Sequence, residues 1–377
     1  MSLYARLGRD DPTTWVLEAG EPQARWIALA QLPIDDGRTA RALERPGAHA
    51  TALAVAHGDV LEHPATERLL GMLPASWEEP ADVSGHNKPE LATNVLDLLA
   101  TVGVTADDDA RIAPLLDAML SHADADGRFL AYAAQRSGPP VWGCVPCDTH
   151  AIADIAGRFG LAGDPRVRRA LSAAEGDLLE TDLGLAWGCR PDPSTGFRGP
   201  GRASEPCPQT TLEALRAFSW LPAGERPPWL AEVAHTSLEI WRRRGERKPY
   251  MMGHGRQFKT VKWPPAWYGA YEVVDTLARL PETWRHSAED RTSLAEIAAC
   301  LLGYNVAADG RVTPQSVFRG WEWLSLGQKK EPSPLATAMV WAQLAALEEL
   351  ADDIAAVDVM RLASSKGGIG VPMPPRV

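Results

Sequence analysis

Apolar residues recur at helical spacing in several segments of the chain. In the first of these segments, the apolar positions follow the i, i+4, i+5, i+7 and i+8 pattern of one helix face, and they are Leu91, Val95, Leu96, Leu98 and Leu99. The same pattern occurs in four later segments, at 151–161, 212–221, 270–280 and 336–350. Few segments alternate apolar and polar residues, so the pattern predicts a helical protein with little sheet.

Each apolar helix is expected to begin after a loop rich in Pro, Cys or polar residues. Pro89, Cys147, Cys207, Pro264 and Pro332 mark equivalent positions, separated by 58, 60, 57 and 68 residues. A second, more charged set of predicted helices lies between the apolar ones, at 107–122, 165–179, 228–244 and 288–302. The chain is therefore predicted to repeat a unit of one apolar helix, one charged helix and a long loop.

The length of this unit favours a closed arrangement. Open solenoids are typically built from repeats of about 20–50 residues, whereas helix pairs that each bury one apolar helix can also close into a ring. Five units, together with predicted N-terminal helices at 24–32 and 48–70, would make six. We therefore expect an all-α (α/α)6 toroid with little or no sheet. It would form one domain over residues 1–377, with 1–84 as divergent first repeats and 351–377 as a C-terminal tail.

Composition restricts the classes of partner and the location. The formal net charge of −11 argues against nucleic acid, because binding to the phosphate backbone needs clustered Lys and Arg. No segment approaches the roughly 20 apolar residues of a membrane span, and the first nine residues have no apolar run of the signal-peptide type. These features predict a cytoplasmic protein without a transmembrane segment. The 14 Trp residues, against six Phe, would pack a core or line a concave pocket.

Four of the five cysteines occur at matching places in two consecutive repeats. The tripeptides Trp142–Cys144 and Trp187–Cys189 are identical, and each is followed by a further cysteine, Cys147 or Cys207. Equivalent loops of neighbouring repeats are expected to lie side by side, which would bring four thiolates together. This arrangement is typical of a closed, tetrahedral structural zinc site.

Other interpretations of the cysteines stay open at this level. Thiolate sulfur also binds iron, Cys144 and Cys147 have the spacing of a redox pair, and each cysteine can be an inert buried residue. Cys300 lies in a charged-type helix outside the pattern and is expected in the core.

Several segments resemble a known group of repeat proteins. Trp187–Cys189, Gly196-Phe197-Arg198-Gly199 and the segment 209–215 are similar to repeats of squalene–hopene cyclases and protein prenyltransferase β-subunits. The segment 327–337 resembles a late repeat of an uncharacterised bacterial branch of that group, and the likeness extends over roughly 85–350. The resemblance implies a toroid that binds or acts on an isoprenoid-type apolar small molecule in a central aromatic cavity.

The catalytic motifs of these families are incomplete in this chain. Cyclases that protonate an alkene carry an Asp-x-Asp-Asp-Thr motif, of which only Asp148 and Thr149 occur here. Glu205 and Cys207 resemble the Asp-x-Cys element of the prenyltransferase zinc triad. The third ligand of that triad is a His, and the last apolar helix of this chain supplies none. Whether the protein is an enzyme therefore stays open, and the alternative is a non-catalytic binding toroid held together by the four-cysteine metal site.

The resemblance and the residue types together suggest candidate site residues. Asp148 and His150, at the start of an apolar helix, are the candidate acid and base, although Asp148 with Thr149 can also be a helix cap. The candidate substrate-binding residues are His86, His254, Arg256, Trp263, Trp267 and Tyr268. His254 and Arg256 belong to a basic, glycine-containing loop that would hold an anion or else be solvated.

Overall fold

The computed structural model describes residues 1–34, 40–41, 45–78, 88–133, 138–197, 204–246, 252, 255–266 and 269–362. Helices account for most of this structure, as the apolar pattern predicts. In chain order they are α1 (Leu3–Arg6), α2 (Thr13–Glu18), α3 (Pro22–Gln31), α4 (Ala48–Glu62), α5 (Pro64–Leu70), α6 (Ala92–Thr101), α7 (Ile112–Ser121), α8 (Pro146–Arg158), α9 (Pro165–Gly176), α10 (Pro208–Ser219), α11 (Leu230–Arg242), α12 (Gly255–Lys259), α13 (Ala270–Ala278), α14 (Pro281–Trp284), α15 (Ala288–Asn305), α16 (Pro334–Ala346) and α17 (Ala351–Ala356).

Strands are short wherever the structure describes them. β1 (Ala131–Ala133) pairs antiparallel with β2 (Val141–Gly143), and β3 (Leu179–Thr181) pairs antiparallel with β4 (Gly184–Ala186). β5 (Lys262–Trp263) pairs in parallel with β6 (Ser316–Val317). The first two pairs lie in the long loops that precede α8 and α10, so they orient the cysteine-containing segments.

The five predicted apolar helices correspond to α6, α8, α10, α13 and α16. Proline occupies the first turn of α8, α10 and α16, where its missing N–H would have had no partner. Ser333 caps α16 as predicted, because its hydroxyl accepts a hydrogen bond from the N–H of Ala336 at 3.0 Å. Val145, rather than Asp148 or Thr149, is the N-cap residue of α8, and its side chain makes no capping hydrogen bond.

These helices pack in chain order. α6 packs against α8, α8 against α10, α10 against α13, and α13 against α16. The C-terminal helix α16 also packs against α3 near the N-terminus, and α3 in turn contacts α4. The first residues of the predicted C-terminal tail form α17, which packs on α1 and α15.

Tryptophan contributes strongly to the core. Six tryptophans are almost fully buried, and they are Trp187, Trp241, Trp263, Trp284, Trp321 and Trp341. Burial of one aromatic side chain removes roughly 150–250 Å² from water, which stabilises the fold by up to about 4–6 kcal/mol. Much of the unusual tryptophan content is therefore explained by core packing. Among the described residues, no helix is both long enough and apolar enough to span a bilayer.

Candidate functional site: an apolar cavity, a thiol cluster and a charged cleft

An apolar cavity opens beside the start of α6. The chain after α5 forms one side of it, and α8 forms the other. Its volume is about 1020 Å³ when the opening to solvent is included. The apolar wall includes Met72, Leu73, Trp77, Leu91, Ala92 and Ile152. A cavity of this size and composition is suited to a small hydrophobic molecule.

Two carboxylates lie in the lining of this cavity. Glu90 is exposed, and its Oε1 accepts a hydrogen bond from the indole N–H of Trp321 at 3.0 Å. Asp148 is partly buried, in the first turn of α8. An acidic side chain is favourable there, because the free N–H groups give a helix N-terminus a partial positive charge. The candidate acid Asp148 therefore lies at the wall of an apolar cavity.

His150, the other candidate acid–base residue, lies in the core. Its ring meets the edge of the Trp187 ring at a centroid distance of 5.7 Å. Burial lowers the pKa of His150 to about 4, so the imidazole is neutral at physiological pH. His150 is absent from the lining of the apolar cavity.

The candidate substrate-binding residues are dispersed. Trp263 is fully buried in β5, where it packs edge-on against Tyr271. Arg256 is exposed in α12 and donates a hydrogen bond to the side chain of Gln315. The remaining candidates, His86, His254, Trp267 and Tyr268, lie outside the described residues.

Cys189 and Cys207 form a pair of contacting thiols. The two thiols share a hydrogen bond, which raises the pKa of Cys189 and lowers that of Cys207. Cys147 and Asp148 also act electrostatically on Cys189. Cys189 and Cys207 therefore lie together beside the start of α10, and Cys147 lies in the first turn of α8.

Cys144 has a different environment from these three. Its sulfur lies 3.3 Å from the hydroxyl oxygen of Thr149, which itself donates to the carbonyl of Phe129 at 2.7 Å. Because the Thr149 hydrogen is engaged with Phe129, Cys144 must be the donor and is held as a thiol. Burial raises the pKa of Cys144 to about 11.

In the part of the chain that the structure describes, no three His, Cys, Asp or Glu side chains are grouped tightly enough to hold a metal ion. The zinc site with Cys144, Cys147, Cys189 and Cys207 stays a prediction.

A second, charged cleft lies between four of the apolar helices. Asp97 on α6 accepts hydrogen bonds from Arg158 of α8 at 2.6 Å and from Arg216 of α10 at 2.9 Å. Arg216 also approaches Asp154 of α8 at 3.1 Å. Asp275 on α13 accepts from Arg279 at 2.8 Å through both oxygens. The described lining of this cleft is mostly polar and charged, and it includes the aromatic side chain of Tyr271.

The acids of α13 titrate in opposite directions. Burial would raise the pKa of Asp275, but Arg279, Arg216 and Arg158 outweigh it and hold that pKa well below its usual range. Burial raises the pKa of Glu272 to about 8. At neutral pH, Asp275 is therefore ionised while much of Glu272 carries its proton.

Sequence reasoning did not identify this charged network. The sequence does contain a usable signal, because each of the four helices carries charged residues within an otherwise apolar pattern. On α8, on α10 and at the end of α13, an acidic residue is followed by a basic residue three or four positions later. Examples are Asp154 with Arg158, Glu213 with Arg216, and Asp275 with Arg279.

Comparison with models of protein families, with curated proteins and with solved structures finds no match to this chain.

Proposed function

We propose that this protein is an (α/α)6 toroid that binds, and acts on, an isoprenoid-type apolar small molecule. The observation that carries the proposal is the apolar cavity with Asp148 at its wall. The ligand is therefore expected in the cavity between α8 and the chain that follows α5, rather than in a central aromatic cavity.

The ring arrangement is supported by the order of helix packing. α6, α8, α10, α13 and α16 contact one another in succession, and the contact of α16 with α3 joins the end of that series to the N-terminal helices. α3 continues through α4 and α5 back to α6. Such a succession of contacts is what a closed ring of helix pairs requires.

Asp148 is the residue best suited to chemistry on the bound molecule. It is partly buried next to apolar side chains, whereas the other lining carboxylate, Glu90, is exposed and engaged with Trp321. An apolar surrounding strengthens the interaction of a single carboxyl group with a charge that develops on the ligand. Asp148 would act as the proton donor or acceptor, and the apolar wall would orient the ligand.

Calorimetric titration with the isoprenoid alcohol farnesol tests the proposal. The wild-type protein should bind farnesol with a negative heat-capacity change, the signature of apolar surface burial. Leu91→Trp fills the cavity from its wall and should abolish binding. Val55→Trp adds the same side chain at an exposed position and should leave binding unchanged. Absence of binding to the wild type, or equal affinity in the Leu91→Trp variant, would refute the proposal.

A second candidate function is a non-catalytic binding toroid that is stabilised by a metal ion bound to the matched cysteines. The contact between Cys189 and Cys207, with Cys147 nearby, favours it. Zinc analysis of purified protein tests this candidate, with Cys189→Ser as the variant expected to lose the metal. Protein that purifies and refolds without affinity for zinc or iron would eliminate it.

A further inference from the structure

The charged cleft between α6, α8, α10 and α13 has the dimensions of a small-molecule site. Its volume is about 650 Å³ when the opening to solvent is included, within the roughly 300–1,000 Å³ that is typical of ligand pockets. Most of its lining side chains carry hydrogen-bonding groups. The cleft is separate from the apolar cavity, because the described linings of the two have only Thr93 in common.

The charges in the wall of the cleft are paired with one another. Asp97 accepts hydrogen bonds from both Arg158 and Arg216, and Arg216 also forms an ion pair with Asp154 at 3.1 Å. A cationic ligand would meet these two arginines, and an anionic ligand would meet the carboxylates. Either one would have to replace an existing partner, because a charge that leaves water without a new partner is costly to bury. The cleft is therefore suited to a neutral ligand.

Some hydrogen-bonding groups in the wall remain available to such a ligand. Thr93 lies one turn before Asp97 on α6, and its hydroxyl makes no hydrogen bond with any residue that the structure describes. Asp97 accepts both arginine hydrogen bonds through Oδ1, so its Oδ2 keeps its lone pairs. The hydroxyl of Tyr271 accepts from the amide of Gln343 at 3.4 Å, and its own hydrogen has no acceptor among the described residues.

These available groups lie on different walls of the cleft. α6, which carries Thr93 and Asp97, is separated by α8 and α10 from α13, which carries Tyr271, in the succession of packed helices. A ligand that reaches both walls must carry hydrogen-bonding groups on more than one side. Hydroxyl groups fit this requirement, because each one donates one hydrogen bond and accepts up to two. We infer that the charged cleft binds a small, neutral, polyhydroxylated molecule of the monosaccharide type, at a second site that does not depend on the apolar ligand proposed above.

Ligand-observed saturation-transfer NMR on the full-length protein tests this inference. The protein is mixed with glucose, galactose, mannose, xylose and myo-inositol, and at least one of these neutral molecules should receive saturation. Glucuronate and glucosamine, which add a negative and a positive charge to the same ring, should bind more weakly than the best neutral molecule. The dissociation constant of that neutral molecule is then measured by titration.

Variants of the lining place the ligand in the cleft. Ala151 lies in the lining on α8, and Ala151→Phe should abolish binding because the larger side chain fills the cleft. Ala231→Phe adds the same side chain at an exposed position of α11 and should leave the affinity unchanged. Thr93→Val keeps the shape of the side chain but removes its hydroxyl, so it should weaken binding by about 2- to 10-fold, the effect of one lost hydrogen bond.

Several outcomes would overturn the inference. One is a wild type that transfers saturation to none of the five neutral molecules, and another is tighter binding of glucuronate or glucosamine. Wild-type affinity in an Ala151→Phe variant that keeps the wild-type circular dichroism spectrum would place the ligand elsewhere. If that variant does not fold, Thr93→Val decides, and unchanged affinity there contradicts the inference. Competition between the bound neutral molecule and farnesol would exclude a second site, whereas farnesol binding alone tests the apolar-ligand function separately.

Discussion

Glu272 should make the protein less stable as pH rises from mildly acidic to neutral. Burial raises the pKa of this carboxyl from its ordinary value of 4.5 to about 8, and the charge of Arg216 offsets only part of that rise. In the unfolded chain the same carboxyl ionises near its ordinary pKa. Between these two values the unfolded state binds fewer protons than the folded state, so the free energy of unfolding falls as pH rises.

The linkage relation gives the size of the effect. One proton of difference between the states changes the free energy of unfolding by about 1.4 kcal/mol per pH unit. Because Glu272 keeps partial contact with solvent, this slope is an upper bound, and we expect about 1 kcal/mol per pH unit between about pH 5 and pH 7. Below that window the carboxyl is protonated in both states and the stabilisation is fully present.

Urea unfolding of the wild type and of Glu272→Gln at several pH values measures this slope. Gln cannot ionise, so the difference in unfolding free energy between the two proteins isolates Glu272 from all other titrating groups. The stability of Glu272→Gln relative to the wild type should increase steadily with pH. Glu232→Gln, which changes an exposed glutamate on α11, is the matched control and should leave the slope unchanged. Parallel stability profiles for Glu272→Gln and the wild type would refute the reasoning.

Two further changes probe the packing and the charge network by urea unfolding. Gly157→Ala should destabilise the protein by about 1–3 kcal/mol, because the added Cβ would lie 2.5 Å from the Trp220 ring. Gly163→Ala is the control, because Gly163 has open space around it. Equal losses of stability in the two variants would contradict the account. Arg216→Met should destabilise by about 3–5 kcal/mol, because it takes a buried cation from Asp97 and its neighbours. A loss below about 1 kcal/mol would mean that the network contributes little.

The apolar helices could be predicted from the sequence because local pattern and packing agree there. The stripe that begins at Leu91 becomes the buried face of α6, and the segment 270–280 becomes α13 with nearly the same bounds. Prolines in the first helical turns, and the cap at Ser333, helped to locate the helix starts. All of these signals act within a few residues of the chain.

The charged cleft and the apolar cavity depend on contacts between segments that are distant in the chain. Asp97 pairs with Arg216, 119 residues further along the chain, and no base lies three or four residues away from Asp97 to indicate an ion pair. The cavity includes Trp77 and Ala131, which belong to irregular or short-stranded segments with no periodic pattern. Its position beside Asp148 therefore could not be read from periodicity.

The matched cysteines show the limit of arguing from a repeat. The identical tripeptides predict two equivalent loops, and the structure brings Cys189 and Cys207 into contact. Cys144 differs because the next turn of chain presents Thr149 to its sulfur, whereas the hydroxyl of Thr211 in the second copy lies beside the backbone of Trp187. Equivalent positions thus acquire different chemistry through a single local contact.

A crystal structure of the protein with farnesol tests the central claim most directly. The account predicts electron density for the ligand in the cavity between α8 and the chain after α5, with its hydrocarbon against Trp77 and Leu91 and its hydroxyl toward Asp148. Density for farnesol in the charged cleft around Asp97 and Arg216, or an empty apolar cavity at saturating farnesol, would contradict it.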